Sequence, residues 1–220
     1  MPTLPLGVLV SGTGTNLQAV LDAIAGGTLD AKVQLVVSNK PGVLALDRAA
    51  KAGVPTCVLP HKGFASREDF DRALVGVLRD AGVEWIVLAG FMRILTPTLL
   101  DAYPLRVINI HPGLLPSFPG VDAQAQALAY GVRLTGCTVH FVDSGTDTGP
   151  VIAQAAVAVH PGDSRDDLAH RVLHWEHKAL VTVLQWISEG RVSVQPAHHG
   201  ERPRVSVNGR MPFFGLAEGP

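Results

Sequence analysis

The chain has 220 residues, 47% of them hydrophobic and 17% charged, with 18 Lys+Arg against 19 Asp+Glu. That supports one large packed core, and a nearly neutral charge with no run of like sign excludes a whole-chain field selecting nucleic acid or an acidic membrane. No apolar run reaches the roughly 18 residues of a membrane span, and the opening Met-Pro-Thr-Leu-Pro-Leu-Gly lacks the basic start and apolar core of a signal peptide, so a cytosolic protein is expected.

In chain order, Leu6–Val10 reads as a buried strand, Leu17–Ile24 as a helix and Val33–Val37 as a second strand. Leu44–Ala52 reads as a helix ended by Gly53, Thr56–Leu59 as a strand, Arg67–Asp80 as a helix stopped at Gly82, and Trp85–Leu88 and Val107–His111 as strands. Near-continuous apolar strands alternating with amphipathic helices predict an α/β fold, a Rossmann-like three-layer, mostly parallel sheet with helices on both faces. From Gly136 the rhythm changes. Cys137–Val142 and Val151–Val157 read as an added antiparallel pair across the Gly-rich loop Asp143–Pro150. Ser164-Arg-Asp-Asp167 is a capping box opening a long helix that runs to Glu189. Arg191–Val194 and Pro203–Val207 suggest a hairpin, followed by a Gly/Pro-rich end expected to be mobile. Cys57 and Cys137 lack C-x-x-C spacing and read as small buried hydrophobes.

Ser11-Gly-Thr-Gly-Thr-Asn16 joins the first strand to the first helix, where small residues let backbone N–H groups close on an anion. No Gly-Lys-Ser/Thr follows, so it is not a P-loop, and Leu17 stands at the third glycine of the dinucleotide fingerprint. The second strand ends in Ser38-Asn39, with no acid for a ribose, so a phosphate monoester fits better than a dinucleotide. A mere tight turn at Gly12 and Gly14 is the plain alternative.

Asn109 and His111, two apart on one strand, project to the same face, and Pro112-Gly113 ends the strand there, at the edge where open α/β sheets bind ligands. An amide and an imidazole together can polarise a carbonyl and carry a proton. Asp147, in the loop Asp143–Pro150, could return a carboxylate to that edge and favour the imidazolium form. His140 reads as an inward neighbour, and an iron site of His111, His140 and Asp147 is a weaker alternative. On the long helix Glu176 falls within the apolar stripe of Ala169, Val172, Leu173, Leu180 and Val183, where a carboxylate must be paired or face a pocket. His170, His174 and His177 share another face and read as a solvated flank, with a zinc cluster the alternative.

These segments resemble the glycinamide ribonucleotide formyltransferase family of folate-dependent formyltransferases. The resemblance rests on Ser-Gly-Thr-Gly-Thr-Asn-Leu-Gln-Ala (11–19), Val-Ser-Asn-Lys (37–40), Leu-Ala-Gly-Phe-Met-Arg-Ile-Leu (88–95), Asn-Ile-His-Pro (109–112), Leu-Leu-Pro-Ser-Phe-Pro-Gly (114–120), Val-His-Phe-Val (139–142) and Asp-Thr-Gly-Pro-Val-Ile (147–152). It implies a formyltransferase domain over 1–190, whose first half to about 105 binds the nucleotide phosphate, and an extension over 191–220. It further implies that Gly14, Thr15, Asn16 and Glu176 meet the ribonucleotide. Arg67, Met92, Arg93, Ile94, Leu95, Asn109, Asp143, Ser144, Gly145, Thr146 and Asp147 would line the site of the co-substrate 10-formyltetrahydrofolate. Asn109, His111 and Asp147 would be catalytic, with no metal, and the partners would be small molecules rather than nucleic acid or membrane, acting on a monomer or homodimer.

Two positions depart from the family pattern: Asp122, where many relatives carry His, and Gly113, where Ser or Ala is common. The alternatives are a formyltetrahydrofolate deformylase, a methionyl-tRNA formyltransferase and a non-catalytic nucleotide- or folate-binding module. The tRNA enzyme would be expected to add a basic C-terminal domain, and the deformylase an N-terminal one. A binding module need not keep all three polar residues.

Overall fold

A computed structural model describes residues 3–196, 202–210 and 213–217, the last stretch by its backbone. Contacts divide the chain into two compact units, 1–109 and 110–220.

The first unit contains β1 (Leu4–Val10), α1 (Thr15–Ala25), β2 (Ala31–Ser38), α2 (Leu44–Lys51), β3 (Thr56–Val58), a 3-10 turn (His61–Gly63), α3 (Arg67–Asp80), β4 (Trp85–Leu88), α4 (Pro97–Leu100) and the start of β5 (Val107–His111). Its strands pair in the order β3-β2-β1-β4-β5, every pair parallel. The order reverses at β1, so the loop after β1 leaves the sheet at its switch point, where doubly wound sheets hold ligands. Unlike the short edge strand β3, strands β1, β2, β4 and β5 are buried along most of their length. They are continuous apolar runs because a parallel strand has no face to give to water. Helix α3 starts where Ser66 accepts from the Asp69 N–H and turns Phe70, Leu74 and Leu78, all fully buried, inward. Each such side chain contributes roughly 1.5–3 kcal/mol. Gly7 of β1 is where Leu78 and Val83 press closest: a Cβ there would lie 2.9 Å from each.

The second unit contains α5 (Ala123–Tyr130), β6 (Leu134–Phe141), β7 (Val151–Ala158), α6 (Arg165–Ser188), β8 (Val192–Gln195), β9 (Arg204–Val207) and β10 (Phe213–Ala217). β6 and β7 are antiparallel, β10 joins β7 in parallel, and β8–β9 form a separate antiparallel pair. Helix α6 packs on β6 and β7 through its stripe of Leu168, Val172, Ala179, Leu180 and Val183. Its capping box is complete, with Ser164 accepting from Asp167 N–H and Asp167 accepting from Ser164 N–H. Arg171 makes a two-pronged ion pair with Asp163, both contacts 2.8 Å, and donates to the Ala158 carbonyl at 3.0 Å, joining α6 to the end of β7.

Three expectations change. The Gly/Pro-rich end carries a strand, β10, because pairing with β7 supplies hydrogen bonds that composition does not reveal; the rest of that end, with 197–201, lies outside the described residues. Cys57 is half-exposed in the short strand β3, whereas Cys137 is buried; both are free thiols. Helix α5 went unexpected because Ala-Gln-Ala-Gln-Ala-Leu-Ala-Tyr has helix propensity but no apolar period. No helix among the described residues is long and apolar enough to cross a membrane.

Candidate active site

In the first unit β1 is followed directly by Ser11, which is buried. Its hydroxyl donates to Asn39 Oδ1 at 2.6 Å and accepts the Met92 N–H at 2.9 Å, so one side chain ties the ends of β1 and β2 to the segment after β4. Gly14 caps α1 with φ 73°, and a Cβ on it would meet Ala45 Cβ at 2.6 Å and Ala45 Cα at 2.8 Å. Only glycine combines that left-handed backbone with so close an approach of α2. Gly12 faces open space and has no such requirement. Thr15 and Asn16 open α1, half-buried and buried respectively. The first turn of α1 has no side-chain cap and no acidic residue, so no side chain there offsets its positive potential. Arg48, which the sequence motifs do not mark, sits beside this loop. Its Nε donates to the Thr13 carbonyl at 2.9 Å and Nη1 to Gln18 Oε1 at 3.1 Å.

Arg67 is exposed at the first position of α3. The segment Met92–Leu95 connects β4 to α4: Met92 and Ile94 are exposed, 65% and 53%, and Leu95 is buried. Arg93 lies between them with its guanidinium 4.5 Å above the Phe70 ring. Met92 and Ile94 thus place two large apolar side chains at the surface beside Arg93.

In the second unit His111, 3% exposed, ends β5 two residues after half-buried Asn109. Its Nδ1 lies 3.3 Å from Asp147 Oδ2, and its Nε2 lies 2.8 Å from the Phe118 carbonyl oxygen. A carbonyl only accepts, so Nε2 carries a hydrogen and Nδ1 faces the carboxylate. Asp147 Oδ2 also accepts the Gly120 N–H at 2.7 Å, while Oδ1 lies 3.7 Å from His140 Nε2. His140 donates from Nδ1 to the Phe141 carbonyl at 2.8 Å, and burial holds its pKa below the ordinary histidine value despite that carbonyl and Asp147. Phe118 and Asp147 have φ of 56° and 54°. Those left-handed backbones give the two loops the shape in which a carbonyl and a carboxylate converge on one imidazole, and such conformations concentrate at functional sites.

The turn after His111 is held from below. Buried Thr138 donates to the Gly113 carbonyl at 2.6 Å and accepts from the Leu115 N–H at 3.1 Å and from Gln154 Nε2 at 3.0 Å. Gly113 packs directly on the catalytic candidate: a Cβ there would stand 3.0 Å from His111 Nε2. Asp122, the other departure, has φ 55° and caps α5 by accepting from Ala125 N–H, and it pairs with Arg165 Nε at 2.8 Å.

In the Asp143–Asp147 loop, Asp143 Oδ1 accepts from Gly145 N–H at 3.1 Å and from Thr148 Oγ1 at 2.7 Å, with Ser144, Gly145 and Thr146 exposed at the tip. Glu176 is 6% exposed on α6, and its charge, after burial, contributes to pushing the Cys137 thiol up to about 12. His170 and His174 are exposed and His177 half-buried. Among the described residues no group of three or more His, Cys, Asp or Glu side chains is placed to hold a metal ion. The sequence reading therefore finds His111, His140 and Asp147, which meet, but misses the Phe118 carbonyl and the Gly120 N–H. These are backbone groups, and only the run Leu-Leu-Pro-Ser-Phe-Pro-Gly hinted at them.

Residues 6–184 match the formyl transferase family. Phosphoribosylglycinamide formyltransferase of Escherichia coli (strain K12) is 44% identical over 187 residues, 85% of this chain and 88% of that protein. Trifunctional purine biosynthetic protein adenosine-3 of Drosophila melanogaster is 49% identical over 191 residues, but the chain spans only 14% of its length. The crystal structure of glycinamide ribonucleotide transformylase 1 from Symbiobacterium toebii aligns with a TM-score of 0.89 at 43% identity, over 93% of this chain and 94% of that one.

Proposed function

The chain belongs to the formyl transferase family, and on that premise we propose that it transfers the formyl group of 10-formyltetrahydrofolate to the amine of glycinamide ribonucleotide, a step of purine biosynthesis. The observation that carries this reading is its 44% identity across 88% of the E. coli enzyme. The His111–Asp147 pair supplies a mechanism.

The neutral glycinamide amine attacks the formyl carbon and forms a tetrahedral oxyanion. Asn109 donates its amide N–H to that oxygen, and His111, held by Asp147, turns its Nε2–H from the Phe118 carbonyl to the same charge. Fixed donors lower the barrier because they need no reorganisation as charge develops. Asp147, kept in place by Gly120 N–H, positions a water that relays the ammonium proton to the departing folate nitrogen. The C–N bond to folate then breaks, the oxyanion collapses, and formylated product and tetrahydrofolate leave. Gly14, Thr15 and Asn16 hold the ribonucleotide phosphate at the α1 N-terminus, with Glu176 as a further contact to that substrate. Arg67, Met92–Leu95 and Asp143–Asp147 bind the folate.

The test supplies purified protein with both substrates and follows folate deformylation alongside formylated product. Equal yields of tetrahydrofolate and formylated ribonucleotide are expected. Folate turnover without the ribonucleotide would make the protein a deformylase, and no turnover at all would leave a binding module.

A further inference from the structure

Asp71 is 1% exposed on α3, yet it belongs to none of the groups assigned above. A buried carboxylate is costly unless donors meet it. Here one oxygen, Oδ2, accepts both the Thr96 N–H at 2.6 Å and the Thr96 Oγ1–H at 2.8 Å. Thr96 is itself buried and is the N-cap of α4, so the carboxylate fixes the point at which the segment after β4 turns into that helix. The other end of the segment is fixed independently, by the Ser11 hydroxyl at Met92 N–H. Between these two clamps lie Met92, Arg93, Ile94 and Leu95. Arg93 is laid over Phe70, the residue beside Asp71 on α3, and its positive charge acts on the Asp71 carboxylate. An apolar residue would fill the same place on α3, but it would leave the Thr96 N–H and hydroxyl buried and unmet.

We propose that Asp71 is a positioning residue for the co-substrate: through Thr96 it sets the backbone of Met92–Leu95, and so tunes folate binding without touching folate. This rests on the reading of that segment as folate-binding. The chemistry fits a short segment held at both ends, since the exposed Met92 and Ile94 side chains take their places from the backbone between the two clamps. Burial raises the Asp71 pKa while the two Thr96 donors oppose the rise, as expected where a carboxylate is retained for its hydrogen bonds.

The test compares wild type with Asp71→Ala, Asp71→Asn and Thr96→Val, measuring KM for each substrate, kcat, and backbone amide exchange over residues 91–96. Asp71→Ala is expected to raise KM for 10-formyltetrahydrofolate about ten-fold, to leave KM for glycinamide ribonucleotide within about two-fold, and to speed amide exchange in 91–96. Asp71→Asn, whose amide oxygen still accepts both Thr96 donors, is expected to restore most of the folate KM, and Thr96→Val to fall between the two. If Asp71→Ala does not fold, the Asn and Val variants carry the comparison. Equal rises in both KM values, unchanged exchange in 91–96, or a lowered Tm with both KM values intact would each overturn the proposal. Wild type that turns over no folate overturns the functional reading and the proposal with it, whereas active wild type with unselective variants overturns the proposal alone.

Discussion

The Nε2 of His111 and the carbonyl oxygen of Phe118 lie 2.8 Å apart, so the imidazole gives one hydrogen to its own loop while its other nitrogen faces Asp147. In the proposed mechanism the substrate replaces a carbonyl acceptor already in place, and the developing oxyanion is the stronger acceptor. His111→Ala and Asp147→Ala are each expected to lower kcat by about two orders of magnitude or more, with smaller changes in either KM. Steady-state kinetics with both substrates checks this, and near-wild-type kcat in either variant would remove that residue from the mechanism.

At the proposed phosphate site, Thr15 opens α1 at a turn with no side-chain cap. A carboxylate there would take the place of the phosphate. Thr15→Glu is expected to raise KM for the ribonucleotide about ten-fold or more, and KM for the folate far less. Equal effects on both would count against the phosphate assignment.

Gly149 and Gly145 offer a contrast within one loop. A Cβ on Gly149 would collide with the Phe141 carbonyl and lie 3.3 Å from Asp143 N, both backbone, whereas one on Gly145 meets only the Thr148 side chain. Gly149→Ala must move the loop that carries Asp147 and is expected to lower kcat about ten-fold, with Gly145→Ala milder because a side chain can turn away. The reverse order of the two kcat values would contradict this placement.

Burial is the main cause holding the His140 pKa below 6.5 in the folded protein. As pH falls through 6.5 the unfolded chain binds the proton first, so stability linked to His140 is present above that pH and is lost below it. Wild type is expected to lose more Tm between pH 6.5 and about 5 than His140→Gln does. Parallel Tm-versus-pH slopes would show that His140 is not the linked group.

Asp163 gives a second window. Arg171 pairs with it through two hydrogen bonds and holds its pKa at about 2, below the ordinary 3.8. The stability it provides is present above 3.8 and lost as pH falls toward 2. Asp163→Asn is expected to cost about 1–2 kcal/mol at neutral pH in chemical unfolding, with the gap to wild type narrowing below pH 3.8. A gap independent of pH would rule out the ion pair as its origin.

Much of the fold is legible because its signals are local. Arg67–Asp80 and Trp85–Leu88 match their elements, since helical and strand periods, caps and glycine stops act over a few residues. Ala123–Tyr130 escapes that reading because it is helical by propensity without an apolar stripe, and β10 because its partner, not its composition, makes it a strand.

Within the site the same division holds. Sequence alone put Asn109 and His111 on one strand two residues apart, with Pro112-Gly113 ending it, and put small residues where α1 begins. Tertiary structure decided that Asp147 rather than another acid meets His111, that Phe118 and Gly120 contribute backbone atoms to that pair, and that Asp71 reaches Thr96 across 25 residues. The reason is physical. Strand alternation and helix capping are written in neighbouring side chains, whereas these contacts depend on loops shaped by left-handed residues such as Phe118 and Asp147, and on backbone groups that every residue carries alike.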